Sequence, residues 1–260
     1  MKLLVVALLL LSVFLPCLTA SAEDVNETGW RITPYAWLPV SISIDSTVDG
    51  TTVPIDMNLG DVFDTFDVFA LSARAEYWWG QYGVVVDGIW TDLQGKDIQN
   101  PAPPIQTLKI DVQDGILDLL GAYRIGIADD GSVRLLGGLR YHYIKQEISI
   151  TPAIPPGAPQ QVLGGSRDFI ELLFGAQYVQ PFANKWLFTT RGDISGFGIG
   201  DGTDITLSAM AGFGYEFAKS WAVELGYRFY YIDYLDGSGA DAFGQEGSMH
   251  GPWLGIAYQR

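Results

Sequence analysis

Two histidines and a scatter of carboxylates are the side chains with which this chain could do acid–base or metal chemistry. His142 could serve as a base if a carboxylate oriented it, and Asp118 is the carboxylate that strand alternation brings within reach. No serine stands beside His142 as a nucleophile, so the pair reads as part of a charge network. His250 lies near Ser248 where a loop enters the last strand, without the motif of a lipase, acyltransferase or protease. Asp201-Gly202-Thr203-Asp204 and Asp236-Gly237-Ser238-Gly239 look like fragments of calcium loops. They lack the ligand spacing and the closing Glu, and read as turns. No catalytic residue, cofactor site or metal site is expected.

Far more abundant is charge at alternate positions of long apolar segments. In FALSARAEYWWG, Phe69, Leu71, Ala73, Ala75, Tyr77 and Trp79 share one face, and Ser72, Arg74, Glu76 and Trp78 the other. WAVELGYRFYY and TLSAMAGFGYEF alternate in the same way. Period two is the strand signature. Ten such segments are predicted, at 30–44, 68–79, 82–95, 114–127, 133–150, 167–180, 186–196, 204–217, 221–234 and 248–260. Short turns at 80–81, 128–132, 181–185 and 218–220 alternate with long polar connections at 45–67, 96–113, 151–166, 197–203 and 235–247. The first connection contains a segment, TTVPIDMN at 51–58, expected to form an extra-membrane hairpin with the end of the first strand. PAPP at 101–104 and PAIPPGAP at 152–159 read as rigid loop pieces.

Alternating short turns and long loops belong to membrane barrels. Three features put lipid outside. The predicted strands run about 11 to 15 residues, against about 5 or 6 in soluble sheets. Lysines stay out of the polar face: Lys96, Lys109, Lys145, Lys185 and Lys219 fall in loops, turns or a strand's outer end. Aromatics gather beside the short turns, at Trp30, Trp79, Tyr82, Tyr178, Trp186, Phe217, Trp221 and Tyr258, as one interfacial girdle requires.

With the polar face inward, Arg31, Arg74, Arg124, Arg134, Arg140, Arg191 and Arg228 meet Glu76, Asp87, Asp118, Glu171, Asp193, Glu216 and Glu224. Unpaired charges are costly in a narrow lumen, so a salt-bridged plug or very narrow pore follows. A type II′ turn at Gly80-Gln81 pairs Trp79 with Tyr82 and sets Arg74 opposite Asp87. An odd loop around Asp129 to Gly131 would set Asp118 opposite His142, with Arg140 close by.

The 260-residue chain opens MKLLVVALLLLSVFLPCLTASA, a charged start, an apolar run and a small-x-small site. Residues 1–22 are expected to be a cleaved signal peptide and 23–260 one barrel domain. The sole cysteine, Cys17, falls in that leader, so the mature chain has no disulfide. A net charge of -15 argues against nucleic acid as a partner.

WRITPYAWLP at Trp30 to Pro39 follows an aromatic-x-x-Thr/Ser-Pro-Tyr-x-Trp-x-Pro pattern. LGDVFDTFD at Leu59 to Asp67 and the Gly-Pro-x-Leu-Gly of Gly251 to Gly255 come after it. In these motifs the chain resembles a family of poorly characterised Gram-negative outer-membrane proteins, and more distantly the OmpA and OmpW kinds of small barrel. The resemblance implies residence in the outer membrane, and either anchoring or passage of small apolar molecules through a side opening. It carries over no functional residue.

The expected fold is thus all-β: one antiparallel up-and-down transmembrane barrel of ten strands, with eight or twelve as alternatives. The expected role is structural, or that of a narrow channel for small solutes. Surface-ligand binding or adhesion, a lipid-modifying enzyme and a soluble lipocalin-like carrier are the alternatives. The expected partners are outer-membrane lipid and lipopolysaccharide and the assembly machinery, with an external ligand unspecified.

Overall fold

The computed structural model describes residues 28–99, 105–127, 130–153, 159–183, 185–198 and 204–260. The expected signal peptide, Pro101 to Pro104, most of the second proline run and Asp201 to Thr203 lie outside the described residues.

The chain runs from β1 (Gly29–Trp37) into a hairpin of β2 (Ser41–Val48) and β3 (Thr51–Asn58), then a short helix α1 (Leu59–Thr65). There follow β4 (Phe66–Trp79), β5 (Tyr82–Gly95), the two-residue β6 (Ile98–Gln99), β7 (Ile105–Gly126) and β8 (Ser132–Pro152). The last five are β9 (Gln161–Phe182), β10 (Trp186–Gly196), β11 (Ile205–Ala218), β12 (Trp221–Asp236) and β13 (Phe243–Gln259). Ten of these, β1, β4, β5 and β7 to β13, form an antiparallel ring that closes where β13 pairs with β1. Closure removes the edge along the ring, the condition for crossing lipid with strands, and leaves the Phe66–Leu71 stretch of β4 with a neighbour on one side alone.

Side-chain polarity is inside out. Leu71, Leu119, Ile170, Phe174, Leu225, Leu254 and Ile256 point outward and are exposed, while Asp87, Asp118, Arg140, Arg191 and Asp193 are buried within. A soluble carrier would carry the reverse pattern. An exposed apolar belt of this extent needs lipid against it. At one rim Trp30 and Trp221 both contact Tyr258, Trp79 contacts Tyr77, Tyr82 contacts Tyr123, and Trp186 contacts Phe182 and Tyr215. Tyr178 and Phe217 complete this end of the outer face. On the last strand Leu254 and Ile256 are exposed on the outer face, and Arg260 is exposed at the rim, its main chain paired with Trp30.

Several boundaries differ from the sequence expectation. The first segment, 30–44, is two strands. β1 and β2 both pair with β13, but the chain kinks between them at Pro39, which has no N–H to donate. Gly251 faces the kink, where a Cβ would collide with the Leu38 carbonyl. The turn joining β2 to β3 is Asp49-Gly50, both at positive φ (48° and 72°), the type I′ geometry that such a pair favours. Helix α1 begins where Asn58 Oδ1 accepts the N–H groups of Gly60 (2.8 Å) and Asp61 (3.2 Å), and Asp61 Oδ2 accepts that of Asn58 (2.9 Å). β7 and β9 start earlier than expected because β7 to β9 keep their ladder well past the apolar belt, and β13 does so because its first residues pair with β12 as far as Asp236 and with β2.

Candidate functional site

The tight turn at Gly80-Gln81 sets the first register. Trp79 pairs with Tyr82 and Arg74 with Asp87. Arg74 donates to Asp87 Oδ2 from Nη2 (2.9 Å) and Nε (3.2 Å). The next hairpin corrects the expectation for Asp118. Its loop is odd, but it closes at Gly126 and Ser132, with the Ile127 N–H donating to Gly131 O (2.9 Å). That is one residue earlier on each strand than expected, so the pairing slips by two. Asp118 therefore faces Arg140, and His142 faces Ile116.

Arg140 clamps Asp118 through Nε to Oδ1 (2.7 Å) and Nη2 to Oδ2 (2.9 Å), and also reaches Asp193 Oδ1 (2.8 Å). Arg191 donates to Asp118 Oδ2 (2.9 Å) and Asp87 Oδ2 (3.3 Å). Its Nε stands 2.9 Å from Asp193 Oδ2, off the line of a hydrogen bond, so that contact is an ion pair only. Three aspartates and three arginines thus share one layer across the lumen. Tyr35 donates to Asp87 Oδ1 (2.8 Å), and Ser195 Oγ accepts from Arg140 (3.4 Å). Arg228 reaches Tyr35 Oη (3.4 Å) and lies over the Trp37 and Tyr230 rings. Arg140 and Asp118 are 0% and 1% exposed, so the centre of the layer is dry and its charges depend on their partners.

His142 belongs to a second cluster just above. Its Nε2 stands 3.3 Å from Glu171 Oε2, and its ring stacks on Phe169, which stacks on Tyr234. Glu171, rather than Asp118, is its carboxylate. On the short-turn side of the layer, Glu76 accepts from Arg134 Nη1 and Trp78 Nε1, both at 3.1 Å, and Arg124 and Arg134 lie over the Trp78 ring. Arg31 pairs with Glu224 and with Gln259. Glu216 sits at the rim, accepting from Gln259.

Past the ionic layer, toward the loop end, the interior turns apolar. A cavity of about 140 Å³ is lined by Trp37, Ile44, Ile55, Val62, Ile89 and Ile116 among others. Sequence reasoning placed 45–67 in a loop and missed this chamber. The signal was present in Ile42 and Ile44 and in Val53, Ile55 and Met57, which alternate on β2 and β3. Tyr35, Ser195 and Tyr230 were missed as well, because uncharged residues at alternate positions do not announce a charge partner.

Among the described residues nothing assembles a nucleophile, base and oxyanion donor. His250 faces outward, its Nδ1 hydrogen-bonded to Tyr227 Oη. Among the same residues no cluster of His, Cys, Asp and Glu could hold a metal ion.

The fold and the inverted polarity define the class: an outer-membrane β-barrel. A solved structure shares the fold. The outer membrane protease OmpT from Escherichia coli matches with a TM-score of 0.54 at 11% identity, over 93% of this chain and 100% of its own. The translocator domain of the autotransporter NalP from Neisseria meningitidis matches at 0.46 and 16%, over 90% of each chain. At such identities the likeness is one of fold. No protein-family model and no curated protein matches the chain.

Proposed function

We propose that this is a sealed outer-membrane barrel, its lumen closed to solutes by the Asp87–Asp118–Asp193 and Arg74–Arg140–Arg191 layer. The single observation that carries this reading is that six opposite charges from β4, β5, β7, β8 and β10 meet inside the lumen with direct contacts of 2.7–3.3 Å. Small barrels of about eight to ten strands have interiors that side chains can fill. A hydrated ion crossing the layer would have to break several of these pairs at once. Planar-bilayer recording tests this. The refolded protein, verified by heat-modifiable migration, inserts without conductance steps; regular unitary steps from the unmodified protein would overturn the reading.

The barrel's role on this view is structural and binding rather than catalytic. The leader at 1–22 would deliver it to the secretory pathway, with cleavage after Ala22. The assembly machinery would insert it beside lipopolysaccharide. Mass spectrometry of the N-terminus of membrane-extracted protein checks the cleavage, and Glu23 is the expected first residue.

A further inference from the structure

The apolar chamber at the loop end has a composition, a size and a doorway that together specify an occupant. Its wall comes from strands on both sides of the barrel and from the β2–β3 hairpin, with Leu59 and Val62 of α1 completing it. Among its polar groups Ser46 Oγ donates to Gln146 Oε1 at 2.6 Å, while the indole Nε1 of Trp37 is buried without a hydrogen-bond partner among the described residues. Among the described residues Asp114 is its only ionisable lining group, and no Lys, Arg or His lines it. A carboxylate or phosphate headgroup would find no cation there and one repelling carboxylate. Met57 and Met249 add adaptable, polarisable wall. A dry apolar cavity of about 150 Å³ is large enough for benzene, and this one is about 140 Å³.

The wall is also incomplete on one side. β1 pairs with β4 only from Ser72 to Trp78, and the Phe66–Leu71 stretch pairs with β5 alone. β3 pairs with β2 alone. Among the described residues only α1 stands between the two free edges. Such edges need water for their N–H and C=O groups, so this seam belongs at headgroup level rather than in hydrocarbon. Leu71 and Phe69 beside it are 63% and 60% exposed on the outer face. An apolar solute dissolved in the adjoining leaflet therefore stands next to the seam.

We propose that this chamber is a blind binding site for one small uncharged apolar molecule, the size of a single hydrocarbon ring, entering beside α1 between β3 and β4. The ionic layer is its floor, so the molecule is held rather than passed on.

The test uses the full barrel in lipid nanodiscs with ¹³C-methyl methionine and toluene as probe. Met57 and Met249 line the chamber, whereas Met210 packs lower down, against Arg74. Saturable shifts of the Met57 and Met249 methyls, with Met210 unmoved, are expected. Ala70 lines the chamber on the unpaired stretch of β4 and is exposed, so a larger side chain has room there. Ala70→Phe should weaken toluene binding at least tenfold while heat-modifiable migration is retained. Equal, non-saturating shifts at all three methionines would show mere partitioning and overturn the proposal. So would equal binding of octanoate, whose charge the chamber should reject. Broadening of Met57 and Met249 by chain-end nitroxide lipid that toluene fails to relieve would also overturn it, in favour of a resident acyl chain.

Discussion

The ionic layer and the apolar chamber occupy the same strands a few residues apart. On β5 the inward residues pass from Asp87 to Ile89, and on β7 from Asp118 to Ile116. In the layer every side chain is held by a named opposite charge from another strand. In the chamber the side chains meet a space that they leave unfilled. Charges in a dry lumen must be matched one to one, which forces close packing and a single register. Aliphatic groups make no such demand, and a chamber walled by them can stay open at little cost.

This contrast can be broken by substitution. Asp118→Ala strands Arg140 and Arg191 beside an unfilled site, and should cost about 3–5 kcal/mol, read by urea unfolding in detergent. Replacing Asp118, Arg140, Arg191 and Asp193 together by Leu and Met removes the stranded charges and should recover most of that loss. A quadruple variant as unstable as the single one would mean that the layer does more than balance its own charges.

Packing separates the regions next. Leu120, 1% exposed and packed in one cluster with Trp78, Val85, Leu136 and Leu173, should cost about 3 kcal/mol as Leu120→Ala. Ile55→Ala, beside existing space in the chamber, should cost under about 1 kcal/mol by the same measurement, because less contact is lost. Equal losses would mean that the chamber is packed as firmly as the rest.

Gly50→Val strikes the hairpin alone. The residue sits at φ 72°, and an added Cβ would collide with the Gly239 carbonyl. A left-handed non-glycine residue costs about 1–2 kcal/mol. Faster proteolysis within residues 45–58 and weaker toluene binding are expected, with the barrel's gel migration unchanged. The smallest effect belongs to Lys145→Ala. Its pair with Glu147 spans 3.8 Å between side chains about two-fifths exposed, and its loss should change stability by less than about 0.5 kcal/mol.

Much of the wall was legible in the sequence. Alternation identified the ten barrel strands and which side chains face inward, since that period is a property of the strand itself. The Gly80-Gln81 turn was enough to pair Arg74 with Asp87, because a two-residue loop leaves one register. The five-residue loop before β8 left more than one, and there Asp118 was matched with His142 instead of Arg140. The kink at Pro39 was hidden for a similar reason: both halves alternate correctly, and only their different neighbours on the β4 side separate β1 from β2.

The sequence by itself determined an inside-out sheet of about ten strands, with its charges facing a common interior and its aromatics at one rim. Those features follow from local period and turn chemistry. Only the tertiary structure decided that Arg191 meets both Asp87 and Asp118, that Arg140 reaches Asp193, and that β2, β3 and α1 fold over to wall a chamber. These contacts run across the lumen between distant segments, and they depend on how far each strand slides before the ring closes.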